Sequence, residues 1–137
     1  MATTTATINI TSDIAPGATI SKTMTMHKLG VSTGLEEATG LRNKKFTATT
    51  ATVVVEQDEF TSTKASKVYM RNTGSSKVNY FYVAKHASAA AAATDAEIIG
   101  KLYGGDWMLI PYLADVNITV APSTAETMTL EYMVFAE

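Results

Sequence analysis

The side chains of this sequence that could carry chemistry are few and scattered. His27 and His86 are the two imidazoles, far apart in the chain, and neither has a second ligand type at metal-binding spacing. A structural or exposed role is the expectation for each. The chain has no cysteine, which excludes thiolate catalysis, Cys-type zinc sites and a disulfide framework. Asp13, Asp58, Glu59, Asp95, Glu97, Asp106 and Asp115 fall mostly in polar connecting segments, where short carboxylates shape turns. A glycosidase-like carboxylate pair meets only in space, so it stays open as a minor alternative that sequence spacing does not decide. Gly104-Gly105-Asp106 lacks the Lys-Ser/Thr and the following helix of a phosphate-cradling loop, so it reads as a hairpin turn. The expectation is no catalytic residue, no metal and no cofactor: a protein that binds rather than turns over.

The aromatic residues carry more information. Tyr80, Tyr82, Tyr103, Trp107 and Tyr112 are suited to stacking on sugars or bases, and equally to lining a core or a subunit interface. The interface reading is the stronger, because one end of each side chain is apolar and the other can hydrogen-bond. Ile8 and Ile10, alternating in a polar N-terminal stretch, are further contact candidates. The expected interface set is Ile8, Ile10, Tyr80, Tyr82, Trp107 and Tyr112. Nucleic acid is not an expected partner, since the net charge is −2 and the densest basic cluster, Arg42-Asn-Lys-Lys45, has no interleaved aromatics.

Strands must position these residues. Thr makes up roughly one residue in six, and its branched Cβ suits pleated, half-exposed sheet. Ile20, Met24 and Met26 alternate with Thr and Lys after the turn signal Pro16-Gly17. Phe46–Val55 reads as one strand with Val53-Val54-Val55 most buried. Lys67–Arg71 and Val78–Val83 flank Asn72-Thr-Gly-Ser-Ser76 and form the best hairpin signal in the chain. Glu97–Tyr103, Asp106–Tyr112, Asp115–Val120 and Met128–Phe135 follow, with Pro111 marking an edge strand or a strand end. A helical turn is expected at Leu35–Ala38. Residues 87–96, with five consecutive Ala, suit a short helix or an irregular excursion equally. The Met residues on strands are expected in the core.

At 137 residues the chain supports one domain able to bury about two-thirds of its unfolded surface. Of eleven aromatics, nine lie from Tyr69 onward, so the core belongs to the C-terminal half. About seven to nine short strands with turn signals between them predict an all-β, antiparallel sandwich of jelly-roll-like form. Residues 1–17 read as an extended N-terminal arm and 18–137 as a single β-sandwich domain. Charged residues are 18% of the chain, below the usual share of about 25%, which suits faces that meet other protein. The N-terminus lacks the basic and apolar regions of a secretory signal, and no apolar run approaches the roughly 20 residues of a membrane span.

Lys67-Val-Tyr-Met-Arg-Asn-Thr-Gly-Ser75, Gly104-Gly-Asp-Trp-Met-Leu-Ile-Pro111, Asp115-Val-Asn-Ile-Thr-Val-Ala121 and Leu130-Glu-Tyr132 together resemble small virion structural proteins of tailed bacteriophages, particularly those of cyanobacterial and other marine hosts. The resemblance covers about half of the chain, and Leu102-Tyr-Gly-Gly-Asp106 departs from it by one extra residue before the acid. It implies a β-rich particle protein made in the host cytoplasm and located in the virion. Within that class the expectation is a capsid decoration (cement) protein that binds the major capsid protein or neighbouring virion subunits, itself a homo-oligomer. A head–tail connector and a carbohydrate-binding adhesin module are the alternatives. Residues 2–13 are expected to add a strand to a neighbour's sheet.

Overall fold

The computed structural model describes residues 3–14, 17–27, 30, 34–35, 37–60, 66–86 and 97–136. The chain divides into two compact units, Met1–Glu37 and Ala38–Ala136. In the first, β1 (Thr4–Thr11) and β2 (Thr19–Met26) pair antiparallel in unbroken register, from Thr4 opposite Met26 to Thr11 opposite Thr19. The arm expected over 1–17 is therefore one half of a hairpin. Its second strand lies in the stretch assigned by sequence to the sandwich, and the units divide at 37/38 instead of 17/18. The helical turn expected at Leu35–Ala38 is replaced at Glu37–Ala38 by the two-residue strand β3, and Glu36 lies outside the described residues.

In the second unit follow β4 (Arg42–Phe46), β5 (Thr52–Val55), β6 (Ser66–Asn72), β7 (Tyr80–His86), β8 (Ile98–Tyr103), β9 (Trp107–Tyr112), β10 (Asn117–Pro122) and β11 (Met128–Ala136). One sheet runs β5-β10-β7-β8; the other has β11 between β3 and β6, with β9 at the edge and β4 also paired to β11. Eight strands from β4 to β11 thus form the orders β4-β11-β6-β9 and β5-β10-β7-β8. That is the double Greek key of a jelly roll, an all-β sandwich.

Alternation explains the core. Phe81 and Val83 of β7, Ile118 and Val120 of β10 and Val55 of β5 point inward from one sheet; Val68, Met70, Leu130 and Val134 meet them from the other. The rings of Phe46 and Phe81 lie 5.2 Å apart and tie the two sheets together. Each such side chain contributes about 1.5–3 kcal/mol of burial. Met26, Met70 and Met128 are buried as expected, whereas Met24 is exposed.

Two strand pairings expected from sequence are not formed. β6 and β7 do not make a hairpin; they belong to opposite sheets, and residues 73–79 arch between them. Asn72 anchors the arch from a buried position: its Nδ2 donates to the Leu102 carbonyl at 3.0 Å and its Oδ1 accepts the Gly74 N–H at 3.0 Å. The Gly104-Gly105 turn forms, with the Asp106 N–H donating to the Tyr103 carbonyl at 2.9 Å and the Asp106 carboxylate accepting the Tyr103 N–H at 3.0 Å. It likewise joins strands of different sheets, β8 and β9. Phe46–Val55 is two strands, since residues 47–51 cross from the β4 sheet to the β5 sheet. Pro111 lies on an edge strand, as expected: among the described residues β9 pairs with β6 alone. The Ala-rich stretch 87–96 lies outside the described residues.

Candidate interaction surfaces

The two faces of the hairpin differ sharply. Odd positions of β1 meet odd positions of β2 to make a hydroxyl face, where Thr7 and Thr23 hydrogen-bond at 2.9 Å and Ser21 Oγ donates to Asn9 Oδ1 at 2.6 Å. Even positions make the opposite face. Ile10 stands across from Ile20 and Ala6 from Met24, and Lys22, across from Ile8, is the one charge on either strand. Over Ile8 (38% exposed), Ile10 (45%), Ile20 (48%) and Met24 (38%) this apolar face is open, whereas Met26, across from Thr4 at its other end, is buried. Contiguous exposure of this kind marks a contact surface, and a two-stranded ribbon is marginal in water without cover. The sequence singled out Ile8 and Ile10; it missed Ile20, Lys22 and Met24, whose membership depends on the hairpin register.

Tyr80 and Tyr82 lie on the outer face of the β5-β10-β7-β8 sheet, with β8 supplying Tyr103 opposite Tyr80 and Lys101 opposite Tyr82. The Tyr80 and Tyr82 hydroxyls are 2.9 Å apart and their rings meet edge-on at 90°. The Tyr103 ring is 5.1 Å from Tyr80 at 60°. Lys101 Nζ stands 4.6 Å from the Tyr80 ring centroid and 5.4 Å from that of Tyr82. The Tyr82 hydrogen bond, aided by Lys101 and opposed by desolvation, lowers the Tyr80 pKa; attraction to Tyr80 first, then Tyr82, raises that of Lys101. Edge-on rings with an ammonium over them do not make the parallel open platform that a stacked sugar or base needs. Cross-strand cohesion is the chemistry they serve.

Trp107 is 50% exposed, at the start of β9 on the outer face of the other sheet. The aromatic residues therefore do not form one surface, because Tyr80 and Tyr82 lie on the opposite sheet. Tyr112 is not an interface anchor. It is 6% exposed, packs in the core and donates its hydroxyl to the Val116 carbonyl. Met108 and Ile110 share that inward row, which settles which way Tyr112 points.

At one end of the sandwich the 72–79 arch, Gly104 and residues 126–129 enclose a polar cleft of about 380 Å³. Its single carboxylate, Glu126, accepts from Asn79 Nδ2 at 2.8 Å. His86 Nε2 lies 3.3 Å from a Glu97 carboxylate oxygen. Among the described residues no three His, Cys, Asp or Glu side chains are arranged to hold a metal ion. Comparison with protein-family models, with curated proteins and with solved structures finds no match.

Proposed function

We propose that this protein is a structural component of a tailed-phage virion, a head-decoration protein whose N-terminal hairpin docks on the shell. The observation that carries the reading is the open stretch of Ile8, Ile10, Ile20 and Met24 on a sheet of two strands among the described residues. The resemblance of the segments around Lys67–Ser75 and Gly104–Pro111 to phage virion proteins supplies the particle. The partner surface is an apolar patch on the major capsid protein or a neighbouring subunit, with a carboxylate to meet Lys22.

Covering the remaining exposed area of the four side chains contributes roughly 1–2 kcal/mol each. That sum, about 4–8 kcal/mol, is comparable to the freedom lost on association, so one hairpin alone binds weakly and joined copies bind well. Cosedimentation with heads stripped of this protein tests the reading. The full chain is expected to pellet with heads in many copies, and Ile8→Thr/Ile10→Thr to stay in the supernatant with its near-ultraviolet spectrum unchanged. Failure of the unaltered chain to pellet, or equal binding by the double variant, overturns it. A copy number of about six or twelve instead of hundreds moves the site from the shell to the neck.

A further inference from the structure

Open sheets protect their outer strands with charges, proline, bulges or shortness. The edges of the jelly roll all follow this rule. β9 carries Pro111, β4 carries Arg42, Lys44 and Lys45, and β3 is two residues long. β5 has four residues and a register shift against β10; β8 has Lys101 and a shift opposite Val83 and Ala84. In the hairpin, β2 carries Lys22. β1 breaks the rule. Its eight residues, Thr-Thr-Ala-Thr-Ile-Asn-Ile-Thr, hold no charge, no proline and no bulge, and six of them are β-branched. Its outer edge has no partner strand among the described residues.

We infer that two copies of this chain join through β1, antiparallel across a two-fold axis, to form a four-stranded sheet. An antiparallel pair is compatible with a two-fold axis: its isologous contact sets residue i against j and j against i, and only the residue at the axis faces its own counterpart. Uncharged β1 accepts that without repulsion, whereas pairing β2 with its copy would bring two Lys22 side chains together. In the order β2-β1-β1-β2 the two lysines sit three strand spacings apart, about 14 Å, beyond the screening length of about 8 Å at physiological salt. Four strands also reach the number at which a sheet becomes stable by itself. Both sets of Ile8, Ile10, Ile20 and Met24 then lie side by side on one larger apolar face.

Thr7 and Thr23 provide a matched test, because they share one hydrogen bond and one face. Thr7→Lys and Thr23→Lys in the full chain lose the same bond and add the same charge, but only the first places it on β1. Sedimentation equilibrium at micromolar concentration is expected to give a two-chain species for the unaltered protein and for Thr23→Lys. For Thr7→Lys the association should weaken at least tenfold. The chain has no native cysteine, so in a series of single variants, Thr5→Cys, Thr7→Cys and Asn9→Cys, the one nearest the axis should close an intermolecular disulfide. A monomer or trimer in solution, or equal weakening by both lysine variants, overturns the inference. None of these readouts involves a phage head, so they stand or fall separately from the shell-binding proposal.

Discussion

Tyr112 shows what one side chain can conceal. In Trp107-Met-Leu-Ile-Pro-Tyr112 both alternating rows are apolar, so the period of two that separates inside from outside in a strand carries no signal. The structure resolves it: Met108, Ile110 and Tyr112 face the core while Trp107 is exposed. Burial, with Asp115, Glu59 and Asp58 nearby, pushes the Tyr112 phenol up to about 12. An unfolded tyrosine titrates near 10, so the stability from the buried neutral phenol is complete below about pH 10 and is lost as pH rises through 12. Tyr112→Phe should cost about 1 kcal/mol at neutral pH by leaving the Val116 carbonyl without its donor. It should also flatten the alkaline decline between pH 10 and 12. Denaturation midpoints measured across that range check both, and parallel curves for the two proteins would contradict the assignment.

Elements were legible one at a time and not in their pairing. Asn72-Thr-Gly-Ser-Ser76 and Gly104-Gly105 both carry turn chemistry, and the chain changes direction at each, through the Asn72 Oδ1 contact to the Gly74 N–H and the Asp106-to-Tyr103 bond. What local sequence does not encode is the sheet that the next strand joins, because that depends on partners such as β10 and β11 far along the chain. A tight hairpin and a sheet-crossing arch use the same Asn, Gly and Ser chemistry. The two turns are locked to one another: the Gly104 N–H donates to the Ser76 carbonyl at 2.8 Å, and Lys77 Nζ donates to the Gly104 carbonyl at 2.6 Å. A Cβ on Gly104 would lie 2.5 Å from the Ser76 nitrogen and 2.6 Å from the Ser75 carbonyl carbon, both backbone atoms. Gly104→Ala should therefore cost about 3 kcal/mol, near the upper end for overpacking. Gly105→Ala, with a φ of 87° and only the Lys77 ammonium nearby, should cost about 1–2 kcal/mol. Urea midpoints of the two variants rank them, and the reverse order would show that the arch does not rest on Gly104.

For the whole molecule, the sandwich was foreseeable from many short Thr-, Val- and Tyr-rich strands, while the place where the chain divides was not. Ile20, Met24 and Met26 alternate as in any half-buried strand, and only their pairing with β1 removes β2 from the sandwich. The buried cluster is drawn wholly from Phe46–Val134, so residues 38–137 should fold without the hairpin. Near-ultraviolet dichroism of Trp107 and a cooperative melt would show this, and a fragment lacking both would mean that the first unit completes the second. β11 also has a consequence in time. It lies between β4 and β6, with Arg42 waiting for Tyr132 and Phe46 for Met128. At ordinary translation rates the ribosome needs on the order of ten seconds to travel from one partner to the other. The nascent polypeptide therefore emerges with β4 unmatched for most of its synthesis. With that edge open so long, co-expressed holdase chaperones and a lower growth temperature should raise recombinant yield, as soluble-fraction measurements would show.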